Sequence, residues 1–189
     1  DNIGIKGLSG SGKTTFVDII SGLLKPSKGK IILNETNDIS KYPETTPIKI
    51  GYVPQNVFLS SKSINENIAF GVQKDKIDKD RLIKIMELCN INEFITSGSR
   101  SLDNREGSWD KILSGGEIQR IGIARAIYDN PDLLIFDEFT SSLDSKTELN
   151  ILENLDKIIK DKTSIFISHK ESTLKNCDKI YELKDKKIY

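Results

Sequence analysis

The sequence is poor in the residues that staple or metallate small proteins. It has one histidine and two cysteines in 189 residues, and Cys89 and Cys177 stand far apart with no CxxC. That excludes a histidine-built metal site and leaves no framework for disulfides or structural zinc. Charge of one sign is also missing: 28 Lys+Arg balance 28 Asp+Glu, for a formal net charge of zero. Such a balance lacks the electrostatic footprint of a nucleic-acid binder, and no nucleic-acid partner is expected. No apolar run approaches the roughly 18 residues of a membrane-spanning helix. An initiator Met and a signal-like leader are absent too, so the chain reads as a cytosolic-side domain cut from something longer.

What is present is a globular balance, with 37% apolar and 30% charged residues, enough for one domain with its own core. Short apolar strands alternate with amphipathic segments. Phe16, Val17, Ile19, Ile20, Leu23 and Leu24 follow helical spacing until Lys25-Pro26 stops them. Lys30–Leu33 and Ile48–Val53 read as short strands. Leu133–Phe136 and Thr163–Ile167 read as strands buried on both faces. Ser114–Tyr128 and Ser145–Lys160 read as helices, the first burying Ile118, Ile121, Ala124, Ala126 and Ile127. From about residue 63 to 113 the pattern is helical, clearest over Arg81–Cys89, with another start at Asn92 and a loop over Ser101–Ile112. The expectation is a single α/β domain, residues 1–62 and 114–189 forming a parallel-sheet core and about 63–113 an inserted helical lobe.

Gly7-Leu8-Ser9-Gly10-Ser11-Gly12-Lys13-Thr14 satisfies G-x-x-x-x-G-K-[ST] between a strand and a helix. Glycines there let successive N–H groups converge on phosphate oxygens, and the helix start adds its positive end. Lys13 is placed to neutralise β/γ-phosphates and Thr14 to offer its hydroxyl to Mg²⁺. Asp137 and Glu138 end the Leu133–Phe136 strand at the sheet edge where ligands bind. Asp137 suits a metal's water shell, and Glu138 can polarise an attacking water. A second small-residue helix start, Leu113-Ser114-Gly115-Gly116-Glu117, also fits anion contact, and equally a capping box. Two phosphate-seeking starts exceed the needs of one nucleotide in one chain, which points to a nucleotide held by another copy.

Taken in order, these motifs resemble the nucleotide-binding domain of ATP-binding cassette (ABC) proteins over nearly the whole sequence. Gly7–Thr14 resembles Walker A, and Gln55 in Tyr52-Val53-Pro54-Gln55 the Q-loop. Leu113–Glu117 resembles the LSGGQ signature, with Glu117 in place of glutamine. Leu133–Glu138 is similar to Walker B, Ser142-Leu143-Asp144 to the D-loop, and His169 to the switch histidine. The resemblance implies a P-loop NTPase fold with a RecA-like parallel sheet, ABC type, that binds and hydrolyses Mg-ATP in a head-to-tail homodimer. It implies phosphate contacts from Gly7, Ser9, Gly10, Ser11, Gly12, Lys13, Thr14 and Thr15. From the other copy it implies contacts by Ser114, Gly115 and Gly116, with Asp144 bridging the two sites. Thr14, Gln55 and Asp137 would serve Mg²⁺, while Glu138, His169, Gln55 and Lys13 would act on the γ-phosphate and water.

Ser63-Ile64-Asn65-Glu66-Asn67-Ile68-Ala69-Phe70-Gly71 and the tail after His169 are similar to exporters. Those proteins move lipids, lipid-linked sugars, peptides or drugs. The implied setting is the cytoplasmic face of a membrane, beneath a transmembrane domain in the same or a partner chain. The family's adenine-stacking aromatic would precede residue 1. Three other readings remain open from the residues: a soluble ABC-type ATPase on nucleic acid or the ribosome, a binding-only dimerisation module, and a small-molecule phosphate-loop kinase. The last leaves Ser114–Gly116 and Ser142–Asp144 unexplained.

Overall fold

A computed structural model describes residues 1–8, 10–35, 37–40, 48–96, 109–141, 143–160 and 162–189. In chain order the elements are β1 (Asn2–Lys6), α1 (Lys13–Ile20), β2 (Ile32–Leu33), β3 (Asn37–Asp38), β4 (Ile50–Val53), α2 (Ile64–Ile68), α3 (Lys79–Leu88) and α4 (Asn92–Thr96). They continue with α5 (Gly115–Tyr128), β5 (Leu133–Asp137), α6 (Ser145–Ile159), β6 (Thr163–Ile167), α7 (Glu171–Leu174), β7 (Lys179–Lys184) and β8 (Lys187–Ile188). Single 3₁₀ turns occupy Lys74–Lys76 and Trp109–Lys111.

The main sheet runs β4-β5-β6-β1-β7-β8. Its first five strands are parallel, and β8 returns antiparallel to β7. This is the parallel-dominated α/β layer expected from the alternation of strands and helices. The strand order departs from chain order, so β1, first in sequence, lies inside the sheet between β6 and β7. That placement sets the glycine loop after β1 in the middle of the strands' C-terminal edge.

Period-two alternation divides the core. Leu134 and Phe136 of β5 face one side with Val53 and Phe166, joining buried residues of α2, α3, α5 and α6. Phe136 stacks on Phe166 at 4.8 Å between ring centroids, and Phe139 tilts against both. Ile135 faces the other side with Ile5, Val17, Ile165, Ile167 and Leu183, and α1 covers it.

The described elements between residues 63 and 96 are helical and pack into the same hydrophobic cluster as β5. They are fastened by polar contacts as well. The buried Asn67 donates to the carbonyls of Ser60, Lys62 and Ser63, and Trp109 Nε1 donates to Lys62 O at 2.9 Å. Arg125 of α5 reaches back to donate to Asn67 O and Phe58 O, at 2.8 and 2.9 Å.

Three elements differ from the periodicity. Helix α1 stops at Ile20, because Gly22 takes φ 77° and Leu23 and Leu24 turn their N–H groups back to Asp18 O. Leu23 and Leu24 are exposed rather than part of the apolar stripe. In α5, Gln119 and Ile123 are buried while Ile118 is only partly so. The β7–β8 hairpin has no sequence signal, since among its residues only Leu183 is buried. The expected loop over Ser101–Ile112 falls mostly outside the described residues.

Candidate functional site

Helix α1 begins on Gly12 at φ 106°, a left-handed conformation in which a side chain is strained. Among the described residues no side chain caps its first N–H groups, and its first turn holds no acid. Gly7 is required for a different reason. A Cβ there would stand 2.6 Å from Leu183 O and 2.7 Å from Ser11 Oγ. The loop therefore folds tightly onto β7 while its helix end stays open.

Lys13 lies back along this loop, its Nζ donating to Gly7 O at 2.9 Å and Leu8 O at 3.1 Å. The same Nζ stands 3.6 Å from Glu138 Oε1. Gln55 Nε2 donates to Glu138 Oε2 at 3.0 Å, and His169 Nδ1 lies 4.0 Å from Oε1. The Glu138 carboxylate thus gathers Lys13 from α1, Gln55 from the segment after β4 and His169 from the loop after β6. Gln55 is held in place because Gln119 of α5 donates to Pro54 O at 3.3 Å.

Glu138 takes φ 45°, in the left-handed region, and its N–H donates to Ile167 O at 2.9 Å. The next residue, Phe139, is 1% exposed and fills the aromatic cluster. This turn reverses the chain so that Phe139 enters the core and the carboxylate faces the loop.

Asp137 is half-buried and accepts a hydrogen bond from Tyr52 Oη at 3.2 Å. Burial raises its carboxyl above the usual carboxylate range, and the Glu138 and Asp18 charges add to that, against pulls from Tyr52 and Lys13. Tyr52 is pushed up to about 12, by burial first and then by Asp137. Tyr52 was not among the candidates from sequence. Its only signal is the pairing of β4 with β5, which chain order does not give away.

The second helix start is built differently. Ser114 caps α5, its Oγ accepting from Glu117 N at 3.3 Å. Glu117 Oε2 in turn accepts from Ser114 N at 2.7 Å and from Ser114 Oγ at 2.9 Å. A Cβ on Gly116 would meet Leu143 Cδ2 at 3.3 Å, so this start adjoins the turn before Asp144. Asp144 caps α6, its Oδ1 accepting from Lys146 N and Thr147 N and its Oδ2 from Thr147 Oγ1. Those bonds, the Thr147 hydroxyl first, hold Asp144 below the usual carboxylate range.

Among the described residues no hydrogen bond or ion pair joins Ser114, Gly115, Gly116 or Asp144 to the Glu138 group. Thr14 and Thr15 are exposed on the first turn of α1. Ser9 and Ser142 lie outside the described residues.

The donor set fits a nucleotide and its metal. Gly10 and Gly12 have open space where a Cβ would stand, and Ser11 Oγ is buried with no partner. Uncapped N–H groups beside an orphan hydroxyl are what phosphate oxygens satisfy. No group of three or more His, Cys, Asp or Glu among the described residues could cage a metal. One carboxylate at Asp137 and one hydroxyl at Thr14 instead suit a magnesium ion held largely by phosphates and water.

The sequence profile of the ABC transporter family matches residues 1–141. The chain is 40% identical over 184 residues to ABC transporter B family member 17 of Arabidopsis thaliana, covering 97% of this chain and 15% of that protein. It is 37% identical over 186 residues to the mitochondrial iron-sulfur clusters transporter ABCB7 of Danio rerio, covering 98% of this chain and 25% of that one. Among solved structures, a bacterial Atm1-family ABC exporter with ATP bound superposes with a TM-score of 0.88 at 31% identity. That match covers all of this chain and 33% of the exporter chain.

Proposed function

This chain belongs to the ABC transporter family, and on that premise we propose that it binds and hydrolyses Mg-ATP between two copies arranged head-to-tail. Its P-loop NTPase fold is that of an ABC exporter's nucleotide-binding domain. The observation that carries the catalytic reading is the meeting of Lys13, Gln55 and His169, from three separate segments, on the Glu138 carboxylate.

Gly7, Ser9, Gly10, Ser11, Gly12, Lys13, Thr14 and Thr15 form the phosphate cradle in this reading. Lys13 exchanges its two loop carbonyls for β/γ-phosphate oxygens. Thr14, Gln55 and Asp137 hold Mg²⁺ and its water shell; when bound, the ion neutralises charge on the phosphates. Glu138 accepts the proton of the attacking water and Gln55 orients that water. His169 steadies the γ-phosphate. Ser114, Gly115 and Gly116 close the site from the second copy, and Asp144 bridges the two. Catalysis is then positioning and charge stabilisation, as phosphoryl transfer requires.

The chain spans 15% of the length of the first plant relatives it matches. Transport is therefore proposed for a larger assembly: a second such domain and a transmembrane domain, in the same or a partner chain, at the cytoplasmic face of a membrane. Export is favoured by the exporter relatives and by the Ser63–Gly71 segment. Lipids, glycolipids, peptides or drugs are the cargo classes the reading takes.

Phosphate release from Mg-ATP, followed against protein concentration, tests this. Specific activity should rise with concentration, and Glu138→Gln should lower it by about 10²–10⁴-fold while ATP still binds. Turnover that is independent of concentration would overturn the two-copy site. A nucleotide-dependent dimer without phosphate release would make the chain a binding-only module.

A further inference from the structure

Helix α6 buries Glu148, Ile151, Leu155 and Ile159 along one stripe. A carboxylate occupies a place that a leucine would fill, and burying one is costly unless every oxygen is answered. Here both are. Glu148 Oε2 accepts from Lys170 Nζ at 2.8 Å. Oε1 accepts from Ser172 Oγ at 2.8 Å and from Thr173 Oγ1 at 3.3 Å. Lys170 Nζ also donates to Thr140 O at 2.8 Å, in the turn after Glu138. Burial, the largest single influence, raises the Glu148 carboxyl, but the bonds from Lys170 and Ser172 and the Lys170 charge bring it below the usual range.

All three donors to Glu148 come from the five residues that follow His169. The residue before it, Ser168, is buried, donates its N–H to Ile5 O at 3.2 Å and accepts from Lys170 N at 3.0 Å. The imidazole itself is 67% exposed. Its direction is therefore set by the backbone on either side, and not by packing of the ring. Glu148 is also one turn beyond Asp144, to whose carbonyl its N–H donates at 2.9 Å.

We infer that Glu148 is a positioning residue, a clasp that fixes the His169 loop against the helix starting at Asp144 and the turn after Glu138. The inference rests on the roles proposed above for His169 and Asp144. Among the described residues neither Glu148 nor Lys170 bonds to the phosphate loop, so the clasp acts on the geometry of turnover and leaves nucleotide capture alone.

The chain has a single histidine, so its imidazole Cε1–H resonance is an unambiguous reporter. Glu148→Gln and Lys170→Met should move that resonance toward the position of free histidine. They should also lower kcat on the order of 10–100-fold with KM for ATP unchanged, as a displaced group does. Lys170→Arg keeps the charge and the donors and should restore both readouts.

A lowered melting temperature with an unmoved resonance would overturn the clasp and leave a purely stabilising network. Should Glu148→Gln fail to fold, the Lys170→Met and Lys170→Arg pair carries the same comparison. If the wild-type chain releases no phosphate, the ATPase reading fails, and the imidazole resonance still decides the clasp on its own.

Discussion

Helices α1 and α5 both begin on a Ser/Gly sequence, and they treat their first N–H groups in opposite ways. At α1 the cap is Gly12, without a side chain, and no acid stands in the first turn. At α5 the cap is Ser114, and Glu117 closes the capping box with its own negative charge. An α-helix start attracts anions through its exposed donors and its dipole. The first start keeps that attraction available, whereas the second spends it within the chain. Strong anion capture is thus expected on the α1 side, and in the proposed dimer the α5 side would meet a nucleotide only by rearranging the Ser114–Glu117 pair. One composition signal, small residues before a helix, covers two electrostatic states.

The sharpest way to break this contrast is Lys13→Met. It removes the cation from the open start and should weaken ATP binding by about 1.5–3 kcal/mol, on the order of 10- to 100-fold in Kd. Titration with a fluorescent nucleotide reads it, and an unchanged Kd would mean that α1 is not the capturing start. Glu117→Gln sharpens the contrast from the other side. The amide can still accept from Ser114, but the charge is gone. ATP-dependent self-association should tighten by about 0.3–1 kcal/mol, seen as turnover reaching its plateau at lower protein concentration. No change there would show that the capping carboxylate does not oppose the incoming nucleotide.

Asp144, at the start of α6, gives the smallest effect. Its carboxyl is held below the usual range by Thr147 and the first N–H groups of the helix. A depressed value in the folded chain means the cap is fully stabilising above the unfolded carboxylate pKa, and is lost as pH falls through the folded one. The stability difference between wild type and Asp144→Ala should therefore shrink in acid, over a window that begins at the ordinary aspartate value. Denaturant titrations at several pH values check this. A difference that does not vary with pH would assign the cap to the uncharged geometry of the turn.

Much of the architecture was legible because its strands are short apolar runs and its helices are punctuated by glycine, proline and caps. The α/β class, the strand ending at Asp137 and the helix opening after Ser114 all follow from local pattern. Other features depend on adjacency that no local pattern carries. Tyr52 meets Asp137 because β4 lies beside β5, and β1 sits between β6 and β7, across most of the chain. The β7–β8 hairpin is exposed on nearly all its positions, so hydrophobic alternation never marks it. Lys170 reads in sequence as one more surface lysine. Its partner Glu148 is 22 residues away, and only the folded chain brings the two together, burying the carboxylate.

The backbone at Glu138 has a consequence for how this protein would drift. A non-glycine residue held in the left-handed region costs about 1–3 kcal/mol, out of a total stability on the order of 5–15 kcal/mol for a typical domain. Glycine or asparagine would relax that position while Phe139 kept its place in the core. On the role proposed for Glu138, a lineage selected for robustness alone would thus exchange the acid early, becoming hardier and losing turnover. Glutamate at position 138, held against that cost, is what the proposed general-base role calls for.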